Sequence, residues 1–331
     1  MRQSRDVAKD MLNMIRRVTV IYNPVAGGGE DVRKRYELET YLSRAVRNLH
    51  DIVTWRIEDT TGPGHAEKLA RDAAKSGVNI VIAAGGDGTI NEVLNGMIGY
   101  ESRLGIVPTG TGNDFARTIG VGLTIKEAVL NVFYGDPVTI DVGKIGSRYF
   151  INVAGCGFDA IIAERINNQR GRLKGRSAYV AAVFQSLKEL QPTPIKLTVD
   201  GETREMDALL CAVANARSYG GGMKITPDAF LNDGLFDICV VNTGKWDFVR
   251  AFPKVFKGTH TSHPGVLILR GKNVKIEAAP GLPVLVDGES GGTTPVEFTI
   301  VPNAVTIIGP ERQPGDNSNR YGLVETEKRD W

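Results

Sequence analysis

The sequence predicts an α/β protein of two domains: an N-terminal α/β nucleotide-binding domain on a parallel sheet, and a C-terminal β-rich, antiparallel, sandwich-like domain. Three observations lead there. A chain of 331 residues is long enough to divide into two cores. From Val18, short apolar runs rich in β-branched residues alternate with stretches of helical spacing, the βαβ pattern of a parallel sheet buried on both faces. After about Asp141, strand-like runs follow one another with few helices between them, as in an antiparallel β domain. The first domain is therefore placed at residues 15–140, with a C-terminal segment returning to it at about 303–325, and the second at 141–302.

In the first domain, strands are expected at Val18–Tyr22, Ile52–Arg56, Ile80–Ala83 and Leu104–Pro108, with helices at Val32–Val46, His65–Lys75 and Ile90–Gly96. Parallel sheets of this kind bind ligands at the carboxyl ends of their strands, where the connecting loops gather. In the second domain, strands are expected at Tyr149–Val153, Ile195–Val199, Leu209–Val213, Phe236–Val241, Val266–Leu269, Val274–Glu277, Pro283–Val286 and Val296–Ile300. Helices are expected at Ala160–Asn167, Ala178–Leu190 and Lys245–Phe256, and the tail from Glu311 is polar.

Composition removes several classes. With 42% hydrophobic and 24% charged residues the chain is neither fibrous nor disordered. A net charge of +2 gives no electrostatic basis for wholesale nucleic-acid binding. Cys156, Cys211 and Cys239 have no C-x-x-C spacing, which fits a reducing cytoplasm. Residues Met1–Met14 carry charges every few positions and form neither signal peptide nor anchor. No apolar stretch approaches the roughly 20 residues of a spanning helix, so the expected membrane contact is peripheral.

The chemistry lies in the loops. Strand Ile80–Ala83 runs into Gly85-Gly86-Asp87-Gly88-Thr89 and then into a helix. Glycines let backbone N–H groups approach a phosphate, and a helix start behind them adds its positive dipole end. By itself such a turn is equally a tight connection capped by Asp87 or Thr89. It has a companion: strand Leu104–Pro108 exits into Thr109-Gly110-Thr111-Gly112-Asn113-Asp114-Phe115-Ala116, with the same mixture of hydroxyls, glycines and a carboxylate. Two such loops on adjacent strand ends point to a nucleotide crevice. Asn23-Pro24-Val25-Ala26-Gly27-Gly28-Gly29 supplies a third rim, where Asn23 suits an adenine edge, a phosphate or a turn before proline. Neither G-x-x-x-x-G-K-[ST] nor G-x-G-x-x-G occurs, and the protein-kinase H-R-D and D-F-G pair is absent. In the second domain, Asp287-Gly288-Glu289 follows an apolar strand. Two carboxylates around a glycine suit a base and its partner, and Asp-Gly also suits a plain turn.

Gly85–Glu92 (G-G-D-G-T-I-N-E) with Pro108–Ala116 (P-T-G-T-G-N-D-F-A) resembles the diacylglycerol kinase catalytic-domain family, and the soluble bacterial diacylglycerol kinases and related lipid kinases within it. The resemblance continues through Asp141-Val142-Gly143, the segments Asn152–Asp159 and Pro227–Leu235, and Asp287-Gly288-Glu289. It implies transfer of the γ-phosphoryl group of ATP to a lipid hydroxyl at a membrane surface, diacylglycerol first among the acceptors. ATP contacts are implied from Asn23, Pro24, Val25, Ala26 and Gly27, from Thr60, from Gly86, Asp87, Gly88, Thr89, Ile90, Asn91 and Glu92, and from Thr111. Asp87, Asp114 and Asp141 are implied around a catalytic Mg²⁺, and Glu289 as the base with Asp287 in support. A second, structural Mg²⁺ is implied at the Asp233 carboxylate with the Phe230 and Leu235 carbonyls, where the residues alone read as an Asn-Asp-Gly hairpin. A homodimer is a further implication.

Two segments suit membrane contact. One is the basic cluster Arg165, Arg170, Arg172, Lys174 and Arg176; the other is Lys245–Lys257, which interleaves Trp246, Phe248, Phe252 and Phe256 with basic residues. The three phenylalanines equally suit a core stripe. His260 and His263 read as surface residues. The rival readings are an NAD kinase-like enzyme, which shares the Gly85–Thr89 loop, and a non-catalytic lipid- or nucleotide-binding regulator.

Overall fold

A computed structural model of the chain describes residues 15–28, 32–49, 52–157 and 191–311. The expected helices Ala160–Asn167 and Ala178–Leu190, the basic cluster at 165–176, Gly29 and the tail beyond Glu311 lie outside the described residues. The chain forms two units: described residues 15–116, 120–139 and 305–311 make the first, and 117–119, 140–157 and 191–304 the second.

In the first unit, β1 (Ile15–Tyr22), β2 (Ile52–Asp59), β3 (Ile80–Gly85) and β4 (Arg103–Pro108) lie in the order β2-β1-β3-β4, all parallel. Val20 stands opposite Ile57 on one side and Ile82 on the other. Ile307, from the returning end of the chain, pairs parallel with Leu104 of β4. Helices α1 (Val32–Arg47), α2 (His65–Lys75), α3 (Asp87–Met97), α4 (Asp114–Ile119, its last three residues assigned to the second unit) and α5 (Ile125–Tyr134) follow in turn. Leu38 and Leu42 of α1 and Val129 and Val132 of α5 bury the face of the sheet that carries Val18, Val20 and Ile82. Alternation sends Ile21, Val81 and Ala83 to the opposite face, and α2 packs against β1 and β3. Gly96 lets α2 and α3 close on each other, since a Cβ there would meet the Glu67 carbonyl oxygen at 2.3 Å. The order places a topological switch point between β1 and β3, where the chain leaves the sheet on opposite sides and a crevice opens at the carboxyl ends.

Strand β5 (Pro137–Ile145) divides between the units. The second unit continues with β6 (Arg148–Phe150), β7 (Val153–Gly157), β8 (Thr193–Val199), β9 (Glu202–Ala208), β10 (Leu210–Ala214) and β11 (Phe236–Val241). Helix α6 (Lys245–Val255) and a 3₁₀ turn (Thr259–Ser262) precede β12 (Val266–Gly271), β13 (Asn273–Ala278), β14 (Pro283–Val286), β15 (Glu289–Thr293) and β16 (Val296–Ile308). One antiparallel sheet runs β12-β11-β10-β7-β14-β15; in the other, β13 pairs with β8 and with the first residues of β16. Alternate residues from both build the sandwich core, among them Ile195, Leu197, Val213, Ile238, Ile276 and Val284. Phe150 stacks on Phe236 at 5.7 Å between centroids and meets Phe298 edge-on at 6.0 Å. The outer face of the first sheet is covered by Phe248 and Val255 of α6, so β10 and β11 are buried on both faces.

Several expectations change. Strand β9 (ETREMDA) hid its period because it is an edge strand with charged, exposed side chains. Its pairing with β8 is set by the Asp200-Gly201 turn, both residues at positive φ (+48° and +92°). The expected strand Tyr149–Val153 breaks at Ile151–Asn152, whose amides donate to the Asp287 carboxylate. Helix α3 begins at Asp87, three residues before the first apolar position of its pattern. His260 is buried, its Nε2 3.1 Å from the Ile225 carbonyl oxygen, because the 3₁₀ turn folds it inward.

Candidate active site

The Gly-rich loops lie in the first unit, at the carboxyl ends of β1, β3 and β4. The N-cap of helix α3 is Gly86, which has no side chain to cap the first turn, so the opening N–H groups of the helix remain for an anionic ligand. The loop after β4 is fastened to this start by Asp87. One oxygen of that carboxylate accepts from the Asp114 amide (3.1 Å) and the other from the Phe115 amide (3.0 Å). Asp87 thereby caps α4 from a distance and welds the two Gly-rich loops together. The Thr109 amide donates to the Gly85 carbonyl oxygen at 2.9 Å, and a Cβ on Gly110 would lie 2.5 Å from the Cα of Gly86. Only glycine allows that approach.

The first loop joins them through Asn23. Its Nδ2 donates to Thr89 Oγ1 at 3.0 Å, while its Oδ1 accepts from the Val25 amide at 3.1 Å. Gly27 sits at φ +82°, and a Cβ there would come within 2.8 Å of both the Thr109 carbonyl oxygen and Lys34 Nζ. Lys34, on the first turn of α1, donates from Nζ to that carbonyl oxygen at 3.0 Å. The motifs of the sequence do not include it, although a lysine in the first turn of a helix behind a Gly-rich loop is a phosphate-site signal. Thr60 extends β2 past its end by donating its amide to the Tyr22 carbonyl oxygen. Glu92 accepts from the Gly64 amide (2.8 Å) and the Ala66 amide (3.0 Å), capping α2, whose own N-cap Gly64 has no side chain. Ile90 and Asn91 are buried, so their side chains belong to the core, whereas Thr111 is exposed at the loop tip.

The fit of these residues to Mg²⁺ lies in the two carboxylates that converge on one loop: a Cβ on Gly112 would lie 3.1 Å from Asp87 Oδ2 and 3.5 Å from Asp114 Oδ2. Among the described residues no group of three or more His, Cys, Asp or Glu side chains is placed to hold a metal. Mg²⁺ accepts such a set, because it keeps waters and draws on one or two carboxylates plus substrate phosphate oxygens.

In the second unit, Asp287 and Gly288 are the two central residues of the β14–β15 hairpin, with φ +47° and +89°. The Asp287 carboxylate accepts from the amides of Ile151 (2.8 Å), Asn152 (2.9 Å) and Val153 (3.1 Å). Glu289 opens β15 half-exposed, paired with Arg148 Nη2 at 3.0 Å. Arg148 is another residue the sequence did not single out. Asp141 is buried and turned toward the Asn232–Gly234 loop, accepting from the amides of Gly234 (2.7 Å) and Asn303 (2.8 Å). Burial raises its carboxyl above the ordinary aspartate value, and those two amides oppose the rise. Asp233 accepts from the Leu235 amide at 3.1 Å and pairs with Arg270, which also reaches Asp237 Oδ1 at 3.3 Å. The Arg270 guanidinium thus supplies positive charge to both carboxylates at this loop.

Residues 17–145 match the family model described as the diacylglycerol kinase catalytic domain, and residues 152–309 match the YegS C-terminal NAD kinase beta sandwich-like domain. The chain is 31% identical over 303 residues to a diacylglycerol kinase of Bacillus subtilis (strain 168), covering 90% of this chain and 98% of that one. The chain belongs to the diacylglycerol kinase family. A second family member, the diacylglycerol kinase of Mycobacterium tuberculosis (strain ATCC 25618 / H37Rv), is 34% identical over 305 residues, 89% of this chain and 96% of that one. The crystal structure of a diacylglycerol kinase from Bacillus anthracis str. Sterne superimposes with a TM-score of 0.69 at 27% identity, over 88% of this chain and 96% of that one. Within the family fold, the loops after β3 and β4 that Asp87 joins are suited to the phosphates of a nucleoside triphosphate.

Proposed function

We propose that this chain is an ATP-dependent lipid kinase that transfers the γ-phosphoryl group to a lipid hydroxyl, with diacylglycerol as the acceptor and phosphatidic acid as the product, working at the cytoplasmic face of a membrane. The observation that carries this reading is the Asp87 bridge, which holds two Gly-rich phosphate loops as one rigid cradle at the open start of α3. Such a cradle presents backbone N–H groups to the donor phosphates without reorganisation during the reaction. Asn23 and Lys34 fix the third rim, and Lys34 adds positive charge. Asp87 and Asp114 would hold Mg²⁺, which when bound offsets charge on the transferring phosphates.

Glu289 is the base: it takes the proton of the lipid hydroxyl while that oxygen attacks the γ-phosphorus in line. The new P–O bond forms as the bond to the β–γ bridging oxygen breaks and ADP leaves. Arg148 orients Glu289, and Asp287 fixes the hairpin that carries it. The test is transfer of label from γ-labelled ATP to a panel of lipids in mixed micelles, with NAD included. Labelled phosphatidic acid is the expected product; label on NAD alone, or none on any acceptor despite nucleotide binding, overturns the reading.

A further inference from the structure

We propose that α6 is the element that docks this protein on a membrane, its occupant the anionic surface of a lipid bilayer; the inference rests on the lipid-kinase reading for the reason that a bilayer is met. Two sets of residues on this helix part company in the structure. Phe248, Phe252 and Phe256 form a chain of ring contacts, 5.8 Å between successive centroids, on the side that packs against the core beneath. Those rings are therefore committed to folding, and the core-stripe reading of them holds. Trp246 is not among them: it is 74% exposed at the first turn.

Around Trp246 the outer face is basic. Arg250, Pro253 and Lys254 are exposed, and Lys257 continues the same side just beyond the helix end. At 100° per residue these positions and Trp246 share an arc of roughly 100°. Lys245 adds charge at the amino end. Lys224 adds charge at the other end, where its amide donates to the Val255 carbonyl oxygen at 3.0 Å. The only carboxylate from Lys245 to Lys257 is Asp247, 3.7 Å from Arg250. An exposed indole set among lysines and arginines is the chemistry of the bilayer interface: the ring enters the headgroup layer while the cations meet anionic lipid. The underside of the helix is tied down by Phe248 and Val255 and by the buried His260 turn that follows it, so the face is presented without folding on contact.

The experiment uses the full chain, the triple variant Arg250→Glu/Lys254→Glu/Lys257→Glu, and Trp246→Ala, each first shown to melt as the parent does. Partition is measured onto phosphatidylcholine vesicles with and without phosphatidylglycerol, and label transfer is measured to diacylglycerol in those bilayers and to dissolved short-chain diacylglycerol. The parent is expected to partition onto the anionic vesicles, the triple variant to lose about tenfold or more of that affinity, and Trp246→Ala to lose several-fold. Transfer to bilayer diacylglycerol falls through KM, while transfer to the dissolved acceptor is unchanged. Variants that partition like the parent, or a parent that ignores anionic lipid, overturn the proposal. A parent that partitions through α6 yet labels neither acceptor sinks the kinase reading and leaves the docking face standing.

Discussion

A side chain at Gly110 would begin 2.5 Å from the Cα of Gly86, closer than real atoms sit, and the contact is backbone that cannot rotate away. Gly110→Ala is therefore expected to push the two phosphate loops apart. It should cost about 1–3 kcal/mol in stability and raise KM for ATP; unchanged denaturation and unchanged KM would show that the loops do not need this contact. The same residue scale separates two carboxylates that look equivalent in Asp287-Gly288-Glu289. Asp287 is spent on three backbone amides, and Glu289 is half-exposed on the strand behind it. That division was invisible in the sequence because the amides that claim Asp287 come from residues 151–153, more than 130 positions away. Lys34 differs: its partner is also a backbone carbonyl of a distant loop, but its place on the first turn of α1 behind a Gly-rich loop is readable in the sequence.

Glu92 shows how an element depends on a remote side chain. Gly64 starts α2 in the left-handed region at φ +77° and offers no cap, and Glu92 of α3 accepts from two of the freed amides instead. Glu92→Ala should lower stability by about 0.5–2 kcal/mol, the cost of losing a helix cap, and loosen the Thr60 turn ahead of α2. A variant with unaltered denaturation and a raised KM for ATP would instead make Glu92 a direct ligand. Elements with a clean period were legible: α2 spans His65–Lys75 and β14 spans Pro283–Val286 as their patterns require. Those set by pairing were not: the charged edge strand β9 draws its order from β8. Helix α5 was legible both in the helical spacing of Ile125, Ala128, Val129, Val132 and Phe133 and in the Thr124–Glu127 capping box, where the Glu127 amide donates to Thr124 Oγ1 at 3.2 Å.

Whole-molecule stability carries a signature from Asp237. Burial, with help from Asp233 and Asp228 and against the pull of Arg270, raises its carboxyl from 3.8 to about 6. The folded state thus holds this proton more tightly than the unfolded chain does. The associated stabilisation is complete below the unfolded value and is lost as pH rises through about 6. Relative to Asp237→Asn, which does not titrate, the parent should lose about 2–3 kcal/mol between about pH 4 and about pH 7.5. A difference independent of pH, measured by denaturant unfolding, would contradict it. At this scale the two-domain α/β architecture was legible because both periods, 3.6 and 2, run on for many elements; the site was legible where its loops are contiguous, and opaque where it depends on which backbone a carboxylate meets. The most direct measurement is transfer of labelled γ-phosphate from ATP to diacylglycerol in mixed micelles by the parent and by Glu289→Gln. The account predicts labelled phosphatidic acid from the parent and a kcat lower by about 10² to 10⁴ in the variant, with KM for ATP unchanged. A variant as fast as the parent, or a parent that labels no lipid, would contradict it.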